Sequence, residues 1–134
     1  MPREPLHIRH VNLARGFRGG ERQTLLLIEA LARIDDNKQG SIEQSLVCRR
    51  DSPMRTALAG MDIELIDADH ALAGHAQRPR ASLTHAHEAK AVHWAWVERH
   101  LRGTPFILTR RVLQPVKDKR FNRWTYRGAA TAVA

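Results

Sequence analysis

Short strand-like runs alternate with helix-like runs from His7 to the last residue, and that alternation restricts the fold more than any other feature. HIRHVNL (His7 to Leu13) sets Ile8, Val11 and Leu13 among polar neighbours and ends at a glycine cluster. ERQTLLLIEALARI then places Leu25, Ile28, Leu31 and Ala32 at helical spacing, a stripe that should face a core. The loop residues DDNKQG break this pattern. IEQSLVC (Ile42 to Cys48) reads as a second strand. Ser52 follows as an N-cap, Pro53 as a first helical position and Gly60 as a stop.

DIELID (Asp62 to Asp67) forms a third strand pattern, and residues 69–81 read as a short helix or a loop. SLTHAH (Ser82 to His87) is a fourth strand. Glu88 to Arg102 is a helix with Val92, Trp96 and Leu101 near one face, ended by Gly103-Thr104-Pro105. FILT (Phe106 to Thr109) is an apolar fifth strand, Lys119 to Ala129 a further helix, and AATAVA the opening of a sixth strand. Strands and helices of these lengths predict one α/β, Rossmann-like three-layer domain with a mostly parallel sheet. The ending within a strand pattern raises the expectation that the protein continues beyond Ala134.

Composition excludes several classes. With 43% hydrophobic and 27% charged residues, the 134-residue chain suits a soluble globular domain. Cys48 has no partner for an internal disulfide, sits in an apolar run and reads as a buried, inert thiol. The start MPREPLHIRH has no apolar signal region, and no run approaches a membrane-spanning length. A cytoplasmic location is expected, with peripheral membrane contact left open.

The formal net charge of +8 is concentrated in one place. Residues 99–127 hold nine basic residues against Asp118 alone, while the preceding residues balance. Phe121, Trp124 and Tyr126 interleave with these cations, as an interfacial helix would arrange them. An anionic partner follows: a phosphate-bearing substrate, an anionic lipid surface or a nucleic acid. A solvated basic face explains the same residues.

Three motifs map to the carboxyl edge of such a sheet, where ligands bind. Gly16, Gly19 and Gly20 give backbone freedom ahead of a helix N-terminus, which favours negative charge. Their spacing does not fit G-x-G-x-x-G, and Arg49-Arg50 stand where a dinucleotide site wants an acidic residue, so nicotinamide binding is not expected. HAHE sends His85 and His87 to one side of a strand and starts a helix with Glu88. The pair reads as metal ligands, as one polar catalytic-site histidine (His87), or as two histidines satisfied by local hydrogen bonds. A second ligand pair for a metal is hard to find, so no metal is expected. Arg110 and Arg111 suit phosphate or carboxylate recognition, or surface ion pairs.

In order and content, RGGERQTLLLIEAL, LVCRRDSPMRTAL, HAHEAKAVHWAW, GTPFILTRR and FNRWTYRGAATAVA resemble the N-terminal domain of family 4 retaining glycosyltransferases, one half of a GT-B architecture. The likeness covers nearly the whole chain from about His7. It implies an acceptor-side domain facing a nucleotide-sugar-binding domain that these residues do not include, so the chain alone should be inactive. It implies Gly19 and Gly20 near donor phosphates or acceptor, and His87 beside the transferred sugar as the catalytic-site residue. Glu88, Arg110 and Arg111 would line the substrate cleft. No cofactor is implied beyond the nucleotide sugar as substrate. With the basic segment, the acceptor would be a cell-envelope glycan or glycolipid such as lipopolysaccharide core. The rival readings are a basic nucleic-acid-binding module and a metal-dependent hydrolase using His85 and His87.

Overall fold

A computed structural model describes residues 5–16, 19–38, 42–68, 81–109 and 131–133. Its elements are β1 (Leu6–Val11), α1 (Gly19–Lys38), β2 (Ile42–Cys48), α2 (Met54–Ala57), β3 (Glu64–Asp67), β4 (Leu83–Ala86), α3 (Ala89–Arg102), β5 (Phe106–Thr109) and β6 (Thr131–Val133). The six strands form one sheet in the order β3-β2-β1-β4-β5-β6. Every pairing is parallel, so the sheet is more uniform than "mostly parallel".

Side-chain alternation divides the core into two layers. Val11, Val47, Ile66, Ala86, Phe106 and Leu108 point to one face, where they pack with Ala91, Val92, Trp94 and Ala95 of α3. Leu46 and Cys48 point to the other face and pack with Ile28 of α1 and with Met54 and Leu58 around α2. Cys48 forms no disulfide and its thiol is fully buried. Among the described residues, no helix is long and apolar enough to cross a membrane.

Local hydrogen bonds move several boundaries from their expected positions. β1 stops at Val11, two residues early, because the Asn12 side-chain oxygen accepts from the Ala14 N–H at 3.1 Å and turns the chain. β3 starts at Glu64 and not Asp62, since Met61 and Ile63 donate to turn carbonyls. The expected break at DDNKQG is corrected as well: α1 runs to Lys38. Asp and Asn cost at most about 0.7 kcal/mol each in a helix, too little to stop an established hydrogen-bond ladder. α2 starts at Met54 with Pro53 at its N-cap, one residue later than expected, and the Ser52 hydroxyl accepts from Met54 N–H at 3.2 Å across that proline.

α3 departs from its expected face. Its buried residues are Ala91, Val92, Trp94, Ala95 and Glu98. Trp96 is only partly buried, and Leu101 is 59% exposed in the last turn, just before Gly103 caps the helix at φ 72°. The expected helix at Lys119–Ala129 and the uncertain stretch 69–80 lie outside the described residues.

Candidate functional site

The crossover sense reverses between β1 and β4. The chain leaves β1 through α1 on one face and leaves β4 through α3 on the other. Their carboxyl ends therefore flank the topological switch point, the usual ligand crevice of an open parallel sheet. His87, immediately after β4, donates its backbone N–H to Val11 O at 3.0 Å. Glu88 crosses the crevice with its side chain: Oε1 accepts from Leu13 N–H at 2.9 Å and Ala91 N–H at 2.8 Å. Its Oε2 accepts from Lys90 N–H at 2.7 Å. One carboxylate thus caps α3 and ties down the loop leaving β1, a role the HAHE spacing did not reveal.

The glycine turn behaves differently from its expectation. Gly19 and Gly20 form the first residues of α1, and the positive-φ glycines among the described residues are Gly60 and Gly103. Backbone freedom is therefore not what Gly19 and Gly20 supply here. Among the described residues, a Cβ added at Gly16, Gly19 or Gly20 would meet nothing within 4 Å. Asn12 fixes the helix start to the strand end, donating from Nδ2 to Thr24 Oγ1 at 3.1 Å, while Thr24 donates to Gly20 O at 3.0 Å.

His85 and His87 do share one side of β4, and the fold adds a third imidazole. His10 on β1 is in register with His85. The His85 and His87 rings stack with centroids 4.0 Å apart, and His10 Nδ1 lies 3.0 Å from His87 Nε2. His10 Nε2 meets Gln44 Oε1 at 2.8 Å, and His85 Nε2 meets Thr109 Oγ1 at 2.7 Å. His10 is fully buried and His87 is 2% exposed. Desolvation lowers the His10 pKa to about 4; the Gln44 hydrogen bond works against that shift and His85 adds to it. His10 is therefore neutral at neutral pH.

Three nitrogens, one from each ring, lie within 4.8 Å of one another. A tetrahedral ion with bonds of about 2.0–2.1 Å sets its ligand atoms about 3.3 Å apart, with each lone pair aimed at the metal. The His85 and His87 rings are tilted by 29° to one another, and His10 Nδ1 and His87 Nε2 already stand at hydrogen-bond distance, so a metal held by that pair would displace their bond. As arranged, the cluster is a hydrogen-bonded stack.

The sequence places His10 in the first strand without joining it to the HAHE pair, and it does not single out Gln44. Both sit inside strand patterns, and the only available signal was a polar residue at a core-facing position. Arg110 and Arg111, and all of the basic segment beyond Thr109, lie outside the described residues. Arg49 and Arg50 pair with acids: Arg49 Nε with Asp51 at 3.2 Å and Arg50 Nε with Asp67 at 3.5 Å. A cavity of about 590 Å³ opens at the amino-terminal edge between His7, Ile28, Glu43, Gln44, Asp62 and Glu64, and Gln44 separates it from His10.

No family model matches the chain, and no curated protein matches it. Its fold is similar to the crystal structure of HepE from Anabaena in complex with UDP and glucose, with a TM-score of 0.64 and 15% identity. The similarity covers 96% of this chain and 38% of the HepE chain, so this chain spans well under half of that protein. At that identity the likeness establishes the Rossmann-like α/β fold.

Proposed function

We propose that this chain is the acceptor-side domain of a GT-B glycosyltransferase resembling retaining family 4, which transfers a sugar from a nucleotide-sugar donor. The observation that carries the reading is the shared fold with a protein crystallised with UDP and glucose. The position of His87 and Glu88 supports it, because they stand at the switch point where such a fold takes its ligands. Glu88 holds the crevice walls, and among the described residues Gly19 and Gly20 leave room for a phosphate or hydroxyl at a helix start.

His87 is the residue we place beside the transferred sugar. Its 2% exposure means that a sugar reaches the ring only by displacing what lies over it. A second domain would supply the donor-phosphate contacts. The reading calls for no cofactor besides the sugar nucleotide. The excess of cations in residues 99–127 favours an acidic cell-envelope acceptor, such as lipopolysaccharide core, met at an anionic membrane surface.

Turnover decides it. The protein at its natural length, given nucleotide sugars and cell-envelope glycolipid, should release nucleoside diphosphate and glycosylated product. His87→Ala should lower that rate roughly a hundredfold while unfolding remains cooperative. Absence of release from every sugar nucleotide would sink the reading. Equal loss of rate and fold would reduce His87 to a structural residue.

A further inference from the structure

We infer that His10, held by Gln44, is a positioning residue that fixes the tautomer of His87, leaving Nδ1 as the nitrogen with which neutral His87 accepts a hydrogen bond. The inference rests on the transferase reading only for what His87 meets. The hydrogen-bond logic stands on the geometry and on the burial that keeps His10 neutral.

The chain of bonds starts at a group with no ambiguity. The Ile28 carbonyl in α1 can only accept, so the Gln44 atom 3.0 Å from it is the Nε2 amide donor. The reverse amide orientation would set two oxygens against each other. Gln44 Oε1 therefore faces His10 Nε2 at 2.8 Å, and an amide oxygen can only accept, so His10 carries its hydrogen on Nε2. A neutral imidazole has one N–H, which leaves a lone pair on His10 Nδ1. His87 Nε2, 3.0 Å away, must then be the donor.

Each step removes one choice, and the last one lands on the residue at the switch point. With its hydrogen committed to Nε2, neutral His87 can act at Nδ1 only as an acceptor. Stacking against His85, itself anchored to Thr109 Oγ1, holds the ring plane while the His10 bond sets its polarity. Without His10 the polarity of His87 Nε2 would no longer be set from β1. His10 touches no substrate in this scheme; it acts through His87.

Side-chain nitrogen–proton correlation spectra of this chain at pH 7.5 test the relay directly. Wild type should show His10 and His87 as Nε2–H tautomers. His10→Asn, whose amide oxygen falls near the place of Nδ1, should keep His87 in that form. His10→Phe, which keeps a ring but no acceptor, should give His87 a mixture. Should His10→Phe not fold, Gln44→Leu leaves the cluster intact and should let the His10 tautomer mix. Finding His87 as the Nδ1–H tautomer in wild type, or unchanged in His10→Phe, would overturn the proposal.

At natural length, His10→Phe should lower kcat roughly ten- to a hundredfold with little change in KM, and His10→Asn should recover much of the loss. A shifted tautomer with undiminished turnover would overturn the positioning role. A wild type with the assigned tautomers but no transferase turnover would defeat the functional reading and leave the relay standing.

Discussion

Strand β1 buries one polar side chain on each face of the sheet, and the two faces accommodate their guests by different means. On the α1 face, His10 has shed its charge and sits in a chain of bonds running from the Ile28 carbonyl through Gln44 to His87. On the α3 face, Arg9 is equally buried but cannot shed its charge. It donates from Nε to Ser45 Oγ at 3.1 Å and faces Glu98, Nη1 to Oε1, at 4.0 Å. Arg102 Nη1 lies 3.9 Å from the same carboxylate oxygen. Nearby, Thr84, in register with Arg9, and Thr104 bury hydroxyls that make no hydrogen bond among the described residues.

The contrast separates direction from charge. A neutral relay costs little to bury when every donor meets an acceptor, and each bond dictates the next. A charged cluster gains Coulomb energy without close geometry, at a large desolvation cost. The first kind hands a defined hydrogen-bonding pattern to His87 at the carboxyl edge. The second ties α3 to β1 through charge, and its one bonded branch, from Arg9 Nε to Ser45 Oγ and on to His7 Nε2 at 3.0 Å, runs toward the start of β1.

The contrast is broken most severely at Glu98. Glu98→Leu should cost about 3–5 kcal/mol in urea unfolding, because the Arg9 charge then lies buried without its carboxylate. A loss below about 1 kcal/mol would show that Arg9 does not depend on Glu98, and the two faces would be less different than described.

The histidine face should answer to pH. The unfolded chain protonates His10 below pH 6.5, whereas the folded chain resists until about pH 4. The contribution of His10 is therefore complete above pH 6.5 and lost as the pH falls from 6.5 to 4, about 3 kcal/mol in all. The imidazoles of His85 and His87 face the same ring, so the measurement is the difference in stability between wild type and His10→Asn across that window. Parallel curves for the two proteins would remove the claim that His10 is buried in its neutral form.

The smallest effect sharpens the account of the charged face. Thr84→Val keeps the β-branched shape and deletes a hydroxyl without a hydrogen bond, so stability should stay level or rise by up to about 1 kcal/mol. A clear loss would place a hydrogen bond on that oxygen and make the charged face directional there as well.

Much of the fold was legible in the residues because it follows from local periodicity. The alternation of Ile8, Val11, Leu46, Val47 and Cys48 with helical stripes such as Leu25–Ile28 specifies buried strands with helices between them. β5 matches its expected bounds because Gly103 and Pro105 punctuate its start. Boundaries failed where a side chain bonded to the backbone, as at Asn12, or where the helical ladder outlasted poor helix formers at Asp35–Lys38. The HAHE motif lies at the carboxyl edge as its strand position implied, yet it showed two histidines of a cluster of three.

By itself the sequence determined the class of fold, the buried thiol at Cys48, the shared side of His85 and His87, and the helix that starts beyond Glu88. These depend on neighbours one to four residues apart, whose geometry the backbone period dictates. Only the tertiary structure decided that His10 joins His87 across 77 residues of chain, that Gln44 orients it, and that Glu88 spends its carboxylate on the crevice walls. Strand order and register set those partners. They are properties of the sheet as a whole, and no spacing along the chain encodes which strand will lie beside which.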